Sequence, residues 1–222
     1  MRNFVLVASA FVMFVLMTFP AAAEPTIFGP TGLLVNPTAD ITAAEHAWIA
    51  LNFLDNDNNS IWTANITGAV SDEFEVGVGA IHPDDGDDGI SFFVKWLFLP
   101  ESENMPGAAA GLTVMDASGQ NTAMYYVVAS KFFYLGDNAS ENASVHGGVS
   151  LLSGDNDDQI EFFGGIDMEI VEDLIALAEY NSDETSLFQG FAYGVRYYFG
   201  PELTGQAGFI DGNLHIGASY VF

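Results

Sequence analysis

The sequence predicts an all-β transmembrane protein: an antiparallel up-and-down β-barrel of about twelve strands, preceded by a cleaved signal peptide. Three observations carry this. The first is composition. Apolar residues make up 50% of the chain, with 19 Phe and 23 Gly, yet nothing after residue 23 approaches the roughly 18 consecutive apolar residues of a membrane helix. The second is segment length. Stretches of about ten residues alternate with Gly, Pro and acidic punctuation, close to the roughly 9–11 residues a tilted strand needs to cross a bilayer. The third is a two-residue period with one apolar and one polar face, the pattern of a strand between lipid and a wet interior.

The elements follow in chain order. Residues 1–23 read as the signal peptide: Arg2, an apolar run from Phe4 to Phe19, then the small-residue site Pro20-Ala21-Ala22-Ala23. A run this short with small residues directly behind it is an export signal rather than an anchor. There is no cysteine, hence neither a disulfide framework nor a lipidated N-terminal cysteine. Residues 24–44 form an N-terminal segment that carries Ile27, Phe28, Leu33, Leu34 and Val35. These would not remain freely solvated. Pro30 and Pro37 remove backbone donors and bar a central strand, while Gly29 and Gly32 let the chain turn sharply. The expectation is a plug, with Phe28, Leu33 and Leu34 packed at the periplasmic mouth or partly inside the lumen. A periplasmic leader is the alternative.

The barrel is read over 45–222. Strands are expected near 45–54, 60–70, 73–82, 90–99, 107–116, 122–133, 143–153, 159–169, 174–182, 187–199, 203–210 and 213–222. The fifth and sixth are weakest, so ten is the fallback count. Alternation is clearest in three of them. Phe92, Val94, Trp96 and Phe98 oppose Ser91 and Lys95. Ile160, Phe162, Ile166 and Met168 oppose Glu161, Asp167 and Glu169. Phe191, Tyr193, Val195, Tyr197 and Phe199 oppose Gly190, Gly194 and Arg196. The last strand sets Leu214, Ile216, Ala218, Tyr220 and Phe222 on one face and ends in the aromatic Phe222. It resembles the C-terminal signature read by the outer-membrane assembly machinery, with Tyr220 and Phe222 as the signal residues.

A family resemblance rests on three stretches. "GPTGLLVNPTAD" over 29–40, running into an amphipathic strand, resembles the opening of YjbH-like outer-membrane barrels. So do Gly164-Gly165-Ile166-Asp167-Met168-Glu169 with the turn and strand behind it, and Gly194-Val195-Arg196-Tyr197-Tyr198-Phe199. The resemblance is discontinuous over the mature chain. It implies an outer-membrane barrel tied to exopolysaccharide production or export, and it supplies no catalytic residues.

Charge excludes some functions and suggests others. The formal net charge is −26, with four Lys and Arg against 30 Asp and Glu. Nothing could neutralise a phosphate backbone, so nucleic acid is excluded as a partner. With both termini periplasmic, the outer connections hold Asp55, Asp57, Asp84, Asp85, Asp87, Asp88, Asp155, Asp157 and Asp158. An acidic mouth of this kind concentrates cations, although loop solvation alone would also account for it. The lumenal charges are expected to be Glu75, Lys95, Lys131, Glu161, Asp167, Glu179 and Arg196. A hairpin about Asp85-Gly86 places Lys95 opposite Gly77 and diagonal to Glu75, near enough for the two to meet.

Candidate chemistry is thin. Asp55-Asn56-Asp57-Asn58-Asn59 and Asp155-Asn156-Asp157-Asp158 look like calcium loops. Counted from Asp55, Ser60 and Ile66 stand where an EF-hand needs Gly and Glu. No resident cofactor or metal is expected beyond weak divalent binding at the acidic loops. His46, His82, His146 and His215 show no ligand spacing. Asn142, Ser144 and His146 share a strand face, but no oxyanion-hole motif accompanies them, so no enzyme is expected. The reading is an outer-membrane channel or export-associated barrel, with outer-membrane lipid, the assembly machinery, and polysaccharide or cations as partners. A structural or adhesive barrel with a filled lumen is the alternative, and an outer-membrane lipase or protease a remote one.

Overall fold

A computed structural model describes residues 24–55, 59–117, 120–135, 142–154, 158–182 and 190–222. The expected signal peptide therefore lies outside the described residues, as do Asp57, Asp155 and Asp157.

Twelve antiparallel strands form a single closed barrel: β1 Ala47–Asp55, β2 Ile61–Ser71, β3 Phe74–Pro83, β4 Gly89–Leu99, β5 Gly107–Ala117, β6 Gln120–Tyr134, β7 Asn142–Gly154, β8 Gln159–Val171, β9 Leu174–Asn181, β10 Gly190–Tyr198, β11 Leu203–Ile210 and β12 Asn213–Val221. Each strand pairs with its sequence neighbours, and β1 closes on β12 from Trp48↔Val221 to Asp55↔Leu214. Closure leaves no free sheet edge, which a bilayer requires because lipid offers no hydrogen bonds to an unpaired backbone. The fifth and sixth strands, weakest in the sequence, are both present, and β6 is 15 residues long. Their buried inward residues, Ala109, Thr113, Met115, Tyr126, Val128 and Ser130, carry no charge and are partly apolar, which blurs the alternation. The first strand begins at Ala47 rather than Glu45, after a residue in the left-handed region at Glu45 (φ 71°). The β11–β12 hairpin turns through Asp211 (φ 51°) and Gly212 (φ 80°), the Asp-Gly pairing that a two-residue turn with both φ positive demands.

The alternation sorts side chains as lipid demands. Leu51, Ile66, Phe92, Val127, Ile160, Phe191 and Ile216 point outward and are exposed. Aromatic pairs ring both ends. Phe74 stacks on Trp96 with centroids 6.0 Å apart, and Tyr197 meets Phe199 at 4.9 Å, near the end carrying the termini. Phe53–Trp62 at 4.6 Å and Tyr180–Phe191 at 4.9 Å lie near the far end. Such girdles mark the two membrane interfaces of a transmembrane barrel.

Inside, large rings lie over glycines. Phe93 faces Gly77, Tyr126 faces Gly111 and Phe163 faces Gly148 as direct cross-strand partners. A Cβ at any of these glycines would overlap the ring opposite. Each ring thus covers backbone that a second side chain would otherwise fill. Gly111→Leu is expected to lose about 1–3 kcal/mol through overpacking. The fraction of refolded protein that migrates faster before boiling than after should fall with it.

Candidate functional site

The interior is occupied by the chain's own N-terminal segment. Residues 24–39 are buried almost throughout, and the chain returns to solvent at Asp40 and over 43–46 before entering β1. The segment doubles back on itself. Thr26 N–H donates to Pro30 O (2.8 Å), Ile27 N–H to Leu34 O (2.9 Å), Gly32 N–H to Glu24 O (2.7 Å) and Leu33 N–H to Asn36 O (3.0 Å). Two glycines make the fold possible. Gly29 sits at φ 112°, and at Gly32 a Cβ would overlap the Asn36 carbonyl. Pro25, Pro30 and Pro37 supply no backbone donor to the segment.

Apolar residues of the segment bind the wall in two places. Ile27, Leu33 and Leu34 pack with Leu54, Ile175, Leu177, Ala192 and Ile210, with Phe28 and Val35 partly buried against them. Ala39 packs with Ala109, Tyr126, Val128 and Phe163. Burial of each large side chain contributes about 1.5–3 kcal/mol.

Charged wall residues bind the segment's backbone. Glu75 accepts hydrogen bonds from Thr31 N–H (2.9 Å), Thr31 O–H (2.9 Å), Thr42 N–H (2.9 Å) and Thr42 O–H (3.1 Å). Lys95, 3.5 Å from that carboxylate, donates to Thr31 O at 2.8 Å and also to the Thr31 hydroxyl. Glu179 takes Leu34 N–H and Val35 N–H on one oxygen and Asn36 N–H on the other, all at 2.9 Å, with Asn36 Nδ2 at 2.8 Å. Three successive amides converging on one anion form a nest. Arg196 donates to Gly32 O (3.2 Å) and Leu33 O (3.1 Å). Neutral wall groups add Thr63 and Asn65 to Ile27 O, Thr67 to Gly29 O, and Ala39 N–H to Ser130 Oγ. At the start of the segment Glu24 accepts from Thr204 and Ser219 on the last two strands. Burial raises the Glu24 carboxyl above its ordinary range, opposed by the Arg196 charge and the two hydroxyls.

The remaining sequence-selected residues are placed as follows. Glu161 lies on the inner face of β8, where Ser150 donates to it at 3.4 Å, and Asp167 on the same face contacts His146. Lys131 requires a correction. It shares the outward face of β6 with Val127 and Phe133, pairs across with exposed Val145, and binds Glu101 at 2.7 Å in the β4–β5 connection. A long side chain near the bilayer rim reaches water without facing the lumen. The Lys95 register is also corrected. Its direct partner is Glu75, while Gly77 faces Phe93. A two-residue shift keeps both side chains on the same face, so the pair still meets. Asp55, Asp84, Asp85, Asp87, Asp88 and Asp158 are exposed at the far end, with Asp88 bonded to His82 and Asp55 to Ser60. Among the described residues no three His, Asp or Glu side chains converge on a metal site. His146 contacts Ser130, not Ser144. Tyr220 and Phe222 are exposed on the outward face, and the Phe222 backbone exchanges two 3.0 Å hydrogen bonds with Ala47.

No family model matches the sequence, and no curated protein matches it. Solved structures do. The KdgM porin in complex with disordered oligogalacturonate superposes with a TM-score of 0.60 at 11% identity, over 79% of this chain and 98% of that one. The fold is that of outer-membrane porins. The NanC porin gives 0.52 at 10% identity over 78% of this chain and 98% of that one. Omp33 of Acinetobacter baumannii gives 0.52 at 12% identity over 80% and 96%. The YjbH-like relation has no match behind it, and the likeness carries the porin fold alone.

Proposed function

We propose that the protein is an outer-membrane channel that its own residues 24–42 hold closed. The observation that carries this reading is the way the segment is bound. Its backbone is gripped by wall charges, Glu75, Lys95, Glu179 and Arg196, that would line a polar pore once it left. A segment serving only as filling could be held by apolar packing alone. The porin fold supports the reading, and no enzymatic role is part of it.

The oligogalacturonate of the KdgM porin complex does not suit this barrel. An outer mouth bearing Asp84, Asp85, Asp87, Asp88 and Asp158 repels an acidic sugar and draws in cations, so neutral saccharides and cations suit it better. The link to exopolysaccharide rests on the YjbH-like opening motif. Its residues Thr31, Gly32 and Leu33, then Thr38 and Ala39, are among those gripped by the wall. The outward Phe222 and Tyr220 suit recognition by the assembly machinery, and the apolar belt suits outer-membrane lipid.

A second reading is a structural barrel with a permanently filled lumen, favoured by the sheer number of bonds to the segment. Planar-bilayer recording separates the two. The mature protein should be nearly silent, and a variant lacking residues 24–42 should give steady, cation-preferring steps. If the shortened barrel migrates as a folded, heat-modifiable species and still conducts nothing, the channel reading fails.

A further inference from the structure

Three side chains on the inner wall form an arrangement that neither the barrel fold nor the channel reading uses. Ser130 on β6 is the direct cross-strand partner of His146 on β7. Asp167 on β8 sits two positions along the same face from Gly165, the partner of His146. His146 Nδ1 lies 2.7 Å from Ser130 Oγ, and His146 Nε2 lies 2.6 Å from Asp167 Oδ2. A carboxylate accepts only from a protonated nitrogen, so Nε2 carries the hydrogen in the neutral ring. Nδ1 is then left as the acceptor of the Ser130 hydroxyl. We propose that Ser130 is a base-activated nucleophile at the periplasmic mouth of the lumen, able to take the acyl group of a small neutral carboxylic ester.

The order of roles is that of nucleophile, base and orienting carboxylate, with the two ring nitrogens exchanged relative to the usual serine hydrolase. Ser130 Oγ forms a bond to the acyl carbon and its proton passes to His146 Nδ1. Asp167 holds the resulting imidazolium. Collapse breaks the bond to the alkoxy oxygen, which leaves as the alcohol with the proton from Nδ1. Water, deprotonated by the same nitrogen, then frees the acid and restores Ser130. No further reactant is needed.

Position and access set the substrate class. Ser130, His146 and Asp167 all lie in the halves of their strands near the end carrying the termini. Ser130 and His146 are 3% and 5% exposed, whereas the Asp167 side chain is 21% exposed and Asp40, next in sequence to Ala39, is open to solvent. The approach is thus acidic, which disfavours anionic esters. One lone pair of Ser130 Oγ is taken by Ala39 N–H at 2.7 Å. Ala39 therefore covers the nucleophile, and its N–H points at Oγ itself. Sequence reading selected Ser144 because it is two positions from His146. Only the cross-strand register brings Ser130 to the ring.

The test is covalent labelling of the purified mature protein with a fluorophosphonate probe, with the adduct located by mass spectrometry. Ser130 Oγ displaces fluoride from phosphorus, so one adduct on Ser130 is expected, forming faster when residues 24–42 are removed. His146→Gln and Asp167→Asn should each slow labelling by about 100-fold or more, the contribution of a positioned base. Heat-modifiable migration verifies that each variant is a closed barrel, and locating the adduct in the unaltered chain needs no variant. Absence of an adduct in both the intact and shortened proteins, an adduct elsewhere, or unchanged labelling in folded His146→Gln would reduce the three residues to a structural relay.

Discussion

Glu75→Gln is expected to cost about 3–5 kcal/mol of folding stability, the range for leaving one partner of a buried ion pair uncompensated. Glu75 and Lys95 face each other across β3 and β4 with both side chains 0% exposed. Glutamine keeps the shape and one acceptor oxygen, for the Thr31 hydroxyl and Thr42, while its NH2 replaces the oxygen that takes Thr31 N–H, so the change removes the charge without opening a cavity. What remains is an ammonium held by the carbonyls of Thr31 and Thr38 and the Thr31 hydroxyl, with no countercharge in contact. The paired variant Glu75→Gln/Lys95→Met removes that ammonium and should recover most of the loss, because the cost of the single change is carried by the uncompensated buried charge. Urea unfolding in detergent, followed by tryptophan fluorescence, reads both. A cost below about 1 kcal/mol for the single change would mean that water reaches Lys95, and the segment would then not seal this part of the lumen.

The barrel was legible because lipid and lumen impose opposite demands on alternate residues. Phe92, Val94 and Trp96 against Ser91 and Lys95 mark β4 as a strand with one apolar and one polar face. The same logic failed at Lys131. A charge marks the lumen only in the middle of a strand, and near the rim an outward lysine finds water and Glu101. The contact between Lys95 and Glu75 survived a wrong register because a shift by two preserves the face. The grip on the N-terminal segment was only half legible. Its prolines, glycines and five apolar residues announced a chain that is neither strand nor solvent-exposed. The nest around Glu179 could not be read, because it joins Leu34, Val35 and Asn36 to a residue more than 140 positions away. Ser130 and His146 escaped for a similar reason. Their juxtaposition depends on the pairing of β6 with β7, and nothing local to either residue states it.

Glu179→Ala is expected to open the barrel. One carboxylate holds three consecutive amides and the Asn36 side chain at 2.8–2.9 Å, and hydrogen bonds to a charged group contribute about 1.5–3 kcal/mol each. Loss of even two of them moves a closed–open equilibrium by about 100-fold or more, since about 1.4 kcal/mol is a factor of ten. The freed amides would be left in an apolar setting beside Leu177 and Ile175, which favours release of the turn into water over retention without partners. Glu179→Gln keeps an oxygen for two of the amides and should lie between the parent and alanine. Lys131→Ala, at the rim near the termini, should leave conductance unchanged and cost under about 1 kcal/mol, as exposed ion pairs do. Single-channel recording reads the open fraction and thermal migration shift reads stability. In a gated channel the two move together, with open time rising as the melting point falls. A Glu179→Ala barrel that melts earlier but stays electrically silent would make the segment permanent filling, and the wall charges would then serve assembly alone.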